Sequence, residues 1–401
     1  MKQVVQLGAI LMMTPILAAS ICMAQASASS SSERDTAFAL EQQGKFPEAE
    51  RAWRTVVTSH PADAEGYAHL GLLEARQEHY KEAIPLYRKA LSLNPSMPDL
   101  RLNFGLALFK GGELRQAIET FTPLLKSEPL SSMDAQRVTA LIGIAHYGLG
   151  EFSAAIPFLK QATQSDSGNL PFRLLLAQSC LSTQQYQCVL DVYHEILTLN
   201  AESAEADMLA GEALDEMRDH DGAIQQFRAA VKADPKVPNV HFGLGYLLWS
   251  KGQFEEAAQE FQAELVNVPN HAEALTYLAD CDQQMSHPEA ALPLLEKAIQ
   301  INPNLAQAHL DLGIVYADSE RRDDALRELK TAVKLSPNDP AIHYRLARLY
   351  MAMGKKTEAN AEFQTTSNLH KAANDTVFNK LKQAQQKGRA VESPTTPAAD
   401  K

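Results

Sequence analysis

One pattern governs what this chain can fold into: a near-perfect 34-residue period. Self-similarity at that spacing is the mark of stacked supersecondary modules. Small residues recur as Ala37, Gly71, Gly105, Gly143, Ala177, Gly211, Gly245, Ala279, Gly313 and Ala347, every step being 34 residues except Gly105 to Gly143, which is 38. A second small column runs Ala49, Ala83, Ala117, Ala155, Val189, Ala223, Ala257, Ala291, Ala325, Ala359. A third is large and apolar: Trp53, Tyr87, Phe121, Leu159, Tyr193, Phe227, Phe261, Leu295, Leu329, Phe363. Prolines 61, 95, 129, 235, 269, 303 and 337 close the repeats, with Ser167 and Ala201 in their place twice. Four extra residues near Ser132–Ala135 keep all columns in phase and lengthen a loop or a helix start there.

Between columns the apolar spacing is helical, as in Tyr67, Leu70, Gly71 and Glu74, then Ala83, Tyr87 and Ala90. That places one face of a helix, a turn and one face of a second helix in each period. Gly112, Gly150, Gly252 and Gly354 fall in the turn, and the closing proline stops the second helix because it lacks an amide donor. Mid-helix glycine costs about 1 kcal/mol against alanine, so the six glycines of the first column need compensation of roughly 6 kcal/mol. Close approach of the paired helices at the small column, with the large column filling the space beside it, is the expected source.

The pattern Leu244-Gly245 with Ala257, Phe261 and Pro269 resembles the tetratricopeptide repeat family, and the resemblance covers residues 30–366 in about ten repeats. It implies an all-α fold: a right-handed α-solenoid of antiparallel helix pairs whose first helices line a concave groove. Glu264 and Val189 depart from the family pattern, since small residues are usual there, and are expected to weaken single interfaces. Leu369, Ala373, Val377, Phe378 and Leu381 make a capping helix over 367–387, as arrays of this kind need an end cover. Residues 388–401, rich in Pro, Thr and Ala, are expected to form a disordered tail.

Catalytic patterns are near misses only. His194-Glu195 begins a zinc-protease-like run, but Thr198 occupies the second histidine's place. Gly148-Leu149-Gly150 lies in an inter-helix turn with no preceding strand. Asp219, Asp221 and Gly222 imitate part of a calcium loop, but Met217 and Arg228 stand where acids are required. The repeats use nearly the whole chain, so no enzyme, no cofactor and no metal site are expected. A net charge of −12 argues against nucleic acid as the partner. A protein or peptide partner is expected instead.

Residues 1–26 carry one charge, Lys2, then an apolar stretch from Val4 to Met23 and the small-x-small site Ala24-Gln25-Ala26. This is the pattern of a cleaved secretory signal, which makes the periplasm or the medium the expected location. Membrane anchoring through an uncleaved segment or through Cys22 is the lesser alternative. No later segment is long and apolar enough to span a membrane. Cys180 and Cys188 flank one turn and are close enough to bridge in an oxidising compartment. Cys281 has no obvious partner.

Residues one and four after the small column, and three before it, form a stripe that has no partner within its own hairpin. In the family this stripe faces the groove. In repeats six to eight it carries Met208, Glu212, Asp215, Phe242, Tyr246, Trp249, Thr276, Asp280 and Gln283, and in repeats three and four an apolar patch of Leu102, Leu106, Phe109, Ile144 and Tyr147. Aromatic residues beside acids suit a peptide site with basic character. They equally suit packing between neighbouring first helices, and the sequence leaves both open. The eight acids between Glu202 and Asp221 read as a solvated face, while Arg345 and Arg348 suit either an acidic segment or simple solvation. The stripe has Ala68, Leu72, Leu102 and Leu106 where carboxylate-clamping relatives place Lys and Asn, which argues against a receptor for a partner's terminal carboxylate. The expected function is a non-catalytic scaffold that is exported and binds a protein segment. The alternative is an accessory subunit of an envelope machine for polysaccharide export, pilus or secretion assembly.

Overall fold

The computed structural model describes residues 28–391 except 98, 128–129 and 200–201, and the signal-like segment lies outside them. Among the described residues the fold is all helical, an α-solenoid of helices packed in adjacent pairs. The chain divides into two compact units, Met1–Asp219 and His220–Lys401. The N-terminal unit holds α1 (Ala28–Gln42), α2 (Phe46–Ser59), α3 (Ala64–Arg76), α4 (Tyr80–Leu93), α5 (Leu100–Lys110), α6 (Leu114–Ser127), α7 (Ser132–Gly148), α8 (Phe152–Ser165), α9 (Leu170–Ser182), α10 (Tyr186–Thr198) and α11 (Ala204–Glu216). The C-terminal unit holds α12 (His220–Ala233), α13 (Val240–Ser250), α14 (Phe254–Asn267), α15 (Ala272–Gln284), α16 (Pro288–Ile301), α17 (Ala306–Asp318), α18 (Arg322–Leu335), α19 (Pro340–Ala352) and α20 (Lys356–Val391).

The small and large columns meet face to face. A Cβ added to Gly105 would lie 2.3 Å from Phe121 Cε1, one on Gly245 2.9 Å from Phe261 Cε1, and one on Gly313 2.7 Å from Leu329 Cγ. Each large residue belongs to the second helix of the same repeat, so the glycines are where the ring of one helix lies on the backbone of the other. Trp53, Tyr87, Phe121, Leu159, Phe261, Leu295 and Leu329 are all buried. Burial of a large apolar side chain is worth about 1.5–3 kcal/mol, enough to offset the helix-propensity cost of the glycine it covers. Gly243 performs the same service one step later, between repeats: its Cβ would lie 2.2 Å from Phe227 Cε1.

A further column emerges in the turns. Left-handed backbone occurs at Glu78, Gln184, Arg218, Ser286 and Glu320, and at the equivalent glycines, including Gly252 with φ 76°. The following amide then reaches back over the helix end: Gln253 N donates to Leu248 O at 3.0 Å and Gly252 N to Trp249 O at 2.8 Å. This is the geometry that satisfies the last carbonyls of a helix, and glycine adopts it without the strain other residues bear. Polar caps start the first helices: Asp63 accepts from Gly66 N, Asn169 from Phe172 N and Ser203 from Ala206 N.

The four extra residues extend a helix. They form the first turn of α7, which is 17 residues long and is capped by Ser131 accepting from Asp134 N. The end of the chain differs from expectation. No separate helix covers 367–387: α20 runs unbroken for 36 residues and includes 388–391, expected as tail. The reason is visible in the repeat phase, since Lys371 sits where the tenth closing proline would fall and neither proline nor glycine occurs from Lys356 to Lys387. Residues 392–401 lie outside the described residues. Val189 is fully buried in an apolar cluster with Ile156, Leu176 and Val192, so this departure fills its seam.

The ring-on-backbone contact sets a measurable cost. Gly105→Ala forces the Phe121 ring to move, and it is expected to lower stability by about 1–3 kcal/mol as an overpacking change, read from urea unfolding followed by circular dichroism. Unchanged stability would show that the seam at this glycine is loose.

Candidate functional site

The residues of the stripe part company in the structure. Within the C-terminal unit, Phe242, Tyr246 and Trp249 project from one side of α13 and meet Tyr277 of α15. The Tyr277 ring lies 5.4 Å from Tyr246 and 4.9 Å from Trp249, edge-on to both, while Tyr246 and Trp249 lie 5.8 Å apart and nearly parallel. Trp249 Nε1 donates to Asp280 Oδ2 at 2.5 Å, which ties the indole of one repeat to the acid of the next. Tyr246 is the most open of the rings, 39% exposed. Trp249, Tyr277, Asp280 and Gln283 are half-buried.

Other stripe residues serve packing. Phe242 stacks on His271 at 4.7 Å and lies 5.9 Å from Phe261, so it joins the helix seam. Thr276 is buried and donates to Ala272 O at 2.9 Å within its own helix. In the N-terminal unit Leu102, Phe109 and Ile144 are buried in an apolar core, with Leu106 part-buried against it. Tyr147 packs edge-on against Phe152 at 5.5 Å. Met208, Glu212 and Asp215 lie on α11 of that unit, where Met208 is half-buried and Glu212 exposed. His194 Nδ1 faces Leu190 O of its own helix at 2.6 Å. The sulfurs of Cys180 and Cys188 are joined in a disulfide, with Cα atoms 5.9 Å apart. Cys281 is buried, and burial pushes its thiol up to about 12. No group of three or more His, Cys, Asp or Glu able to hold a metal ion occurs among the described residues.

Two side chains beside this cluster were not singled out from sequence. Tyr277 and Asp311 lie 34 residues apart, and Arg345 a further 34, so the three hold one register position in successive first helices. Periodicity could have found them had the position two before the small column been read as well. Asp311 is 3% exposed. Its Oδ1 accepts from Gln307 Nε2 at 2.8 Å, and its Oδ2 is buried with no partner among the described residues. Burial, reinforced by nearby Asp280, raises its carboxyl well above the usual range. Burial likewise pushes the Tyr277 phenol up to about 12, with Tyr246, Asp311 and Asp280 adding to it.

The side chains that fix these helices were also obscure in sequence. Glu264, expected to weaken an interface, is fully buried and accepts from Asn239 N at 2.9 Å and Phe242 N at 3.2 Å. It therefore caps the start of α13, where amides without helical partners favour a negative charge. Glu264→Ala restores the small residue usual in the family, yet it is expected to destabilise by about 1.5–3 kcal/mol through loss of bonds to a charged acceptor, measured by thermal unfolding; a stabilised variant would refute this capping role. His241, His309 and His343 meet Glu260, Glu328 and Glu362 of the paired second helix through Nδ1, at 2.6, 2.8 and 2.5 Å. The Nε2 atoms of His309 and His343 face the carbonyls of the closing prolines Pro303 and Pro337.

Desolvation disfavours the charge on His343, but bonds to Glu362 and Pro337 O outweigh it and raise its value above 6.5. The charged ring thus adds stability that is complete below pH 6.5 and is lost as pH rises through the folded-state value. The difference in melting temperature between wild type and His343→Gln is expected to shrink from pH 6 to 9; a pH-independent difference would contradict the assignment.

Tetratricopeptide repeat profiles match residues 35–98, 190–238, 208–272 and 242–306, and a second set matches 74–142, 284–332 and 316–383. The chain belongs to the tetratricopeptide repeat family, whose members form protein-interaction scaffolds. It is similar to the protein CTR9 homolog of Arabidopsis thaliana, 24% identical over 70% of this chain and 26% of that one. It is 21% identical to human DnaJ homolog subfamily C member 3 over 71% of this chain and 62% of the relative. The chain thus spans less than two thirds of the length of these relatives. Among solved structures, MamA from Desulfovibrio magneticus RS-1 aligns over 43% of this chain and 97% of its own, at 20% identity and a TM-score of 0.38. YrrB, described as a TPR protein with an unusual peptide-binding site, aligns over 44% and 91%, at 19% identity and a TM-score of 0.37.

Proposed function

We propose that this protein is an exported, non-catalytic scaffold that holds a protein segment on the first helices of its C-terminal unit. The observation that carries this reading is the half-open cluster of Tyr246, Trp249, Tyr277 and Asp280. Rigid aromatic side chains give large contact area at low entropic cost, and acids beside them select basic segments. Packing alone accounts for Phe242; it does not account for an exposed Tyr246 beside an indole tied to an acid. Export is supported by the signal-like residues 1–26 and by the Cys180–Cys188 disulfide, since disulfides persist in oxidising compartments. Among the described residues no helix is long and apolar enough to cross a membrane.

Crosslinking and mass spectrometry of cells expressing the full chain test the reading. Trp249→Ala is expected to reduce capture of the partner about tenfold, on the scale of an interface hot spot, with a small loss of stability as its bond to Asp280 is removed. A large drop in melting temperature with capture unchanged would assign the cluster to packing, and fractionation of the chain to the cytosol would remove export.

A further inference from the structure

We propose that Tyr246, Trp249, Tyr277, Asp280 and Asp311 form a receptor for the ammonium group of a lysine side chain carried by the bound segment. This rests on the scaffold reading above and names the chemistry its site recognises.

Three observations converge. The Tyr277 ring stands edge-on to the nearly parallel Tyr246 and Trp249 rings, with interplanar angles of 81° and 68°. Tyr246 is the ring of this cluster exposed to solvent, and a ring quadrupole attracts a compact cation that arrives there. Asp280, beside the corner, receives only neutral donors in the bonds it makes, from Trp249 Nε1 and Gln284 Nε2. Asp311 supplies the independent observation. Its buried Oδ2 lacks a partner, and leaving a buried carboxyl half-satisfied is costly unless a cation arrives. Tyr277 and Asp280 on α15 and Arg345 on α19 are the groups that feel its charge.

Arg345 is the cation of this chain whose charge acts on Asp311. It is exposed, and no ion pair joins it to Asp311 among the described residues. A ligand ammonium that favours ionised Asp311 binds with release of a proton, so affinity rises with pH until that carboxyl is fully ionised.

The test uses the full mature chain and two capped peptides of Gly, Ser and Leu around one central residue, lysine in one and Nε-acetyl-lysine in the other. Calorimetry is expected to show the lysine peptide bound at least about tenfold more tightly, with affinity increasing from pH 5 to 7.5. Asp311→Asn is expected to erase both the preference and the pH dependence, and Arg345→Ala to move the rise in affinity to higher pH. Equal binding of the two peptides overturns the lysine receptor while leaving the scaffold reading intact. Binding of neither peptide at millimolar concentration also overturns it, whereas the scaffold reading falls only if the Trp249→Ala crosslinking result fails. Because the acetylation arm uses wild-type protein, misfolding of the Asp311 variant does not blunt the test. A preference unchanged in a folded Asp311→Asn chain would exclude Asp311 from the site.

Discussion

The whole arrangement depends on aromatic and branched side chains resting directly on the backbone of a neighbouring helix. Phe121 lies on Gly105, Phe261 on Gly245 and Leu329 on Gly313 so closely that no Cβ fits between. Glycine there weakens each first helix as an isolated segment, and the packed partner compensates. Local structure and tertiary packing are consequently inseparable in each repeat, as expected where helical stability comes mainly from burial of a face rather than from propensity. The site inherits its precision from this seam. Phe261 sits on Gly245, which fixes α13, and α13 carries Tyr246 and Trp249.

Buried polar groups finish what apolar packing begins. Glu264 holds the start of α13 through two backbone amides. The same helix begins two residues later in the repeat than α15, α17 and α19 do, after Asn239 in left-handed backbone. In the N-terminal unit Glu41 accepts from Trp53 Nε1 and also meets His69 Nδ1 at 2.8 Å, with the histidine ring stacked on the indole at 4.5 Å. These carboxyl groups can be buried because backbone amides, an indole and a histidine ring satisfy their oxygens.

Much of this was legible in the sequence because a fixed period repeats each signal many times. Helix pairs, the turn, the closing prolines and the helix-on-helix seam all follow from columns of residue size. The expected groove residues were less legible, since a stripe defined by angle cannot distinguish Tyr246, which is open, from Thr276, which is buried. Single positions were least legible of all. Glu264 looks like a defect when read against its column, and only the three-dimensional neighbourhood reveals the two amides it serves. Asp311 likewise passes for an ordinary helical acid until its lack of a second partner is seen. The closing helix was misread for a simpler reason: the absence of a proline at Lys371 is a weaker mark than its presence.

The histidine clamps give the C-terminal repeats a mechanical character. Through His309 the chain joins three pieces at one ring: the proline carbonyl that ends α16, the helix α17 that carries the ring, and Glu328 of α18. The bond to Pro303 O holds the ring to the close of the earlier repeat, and the contact with Glu328 holds the helix pair of the later one together. One imidazole thus serves two joints at once, the one within a repeat and the one between repeats.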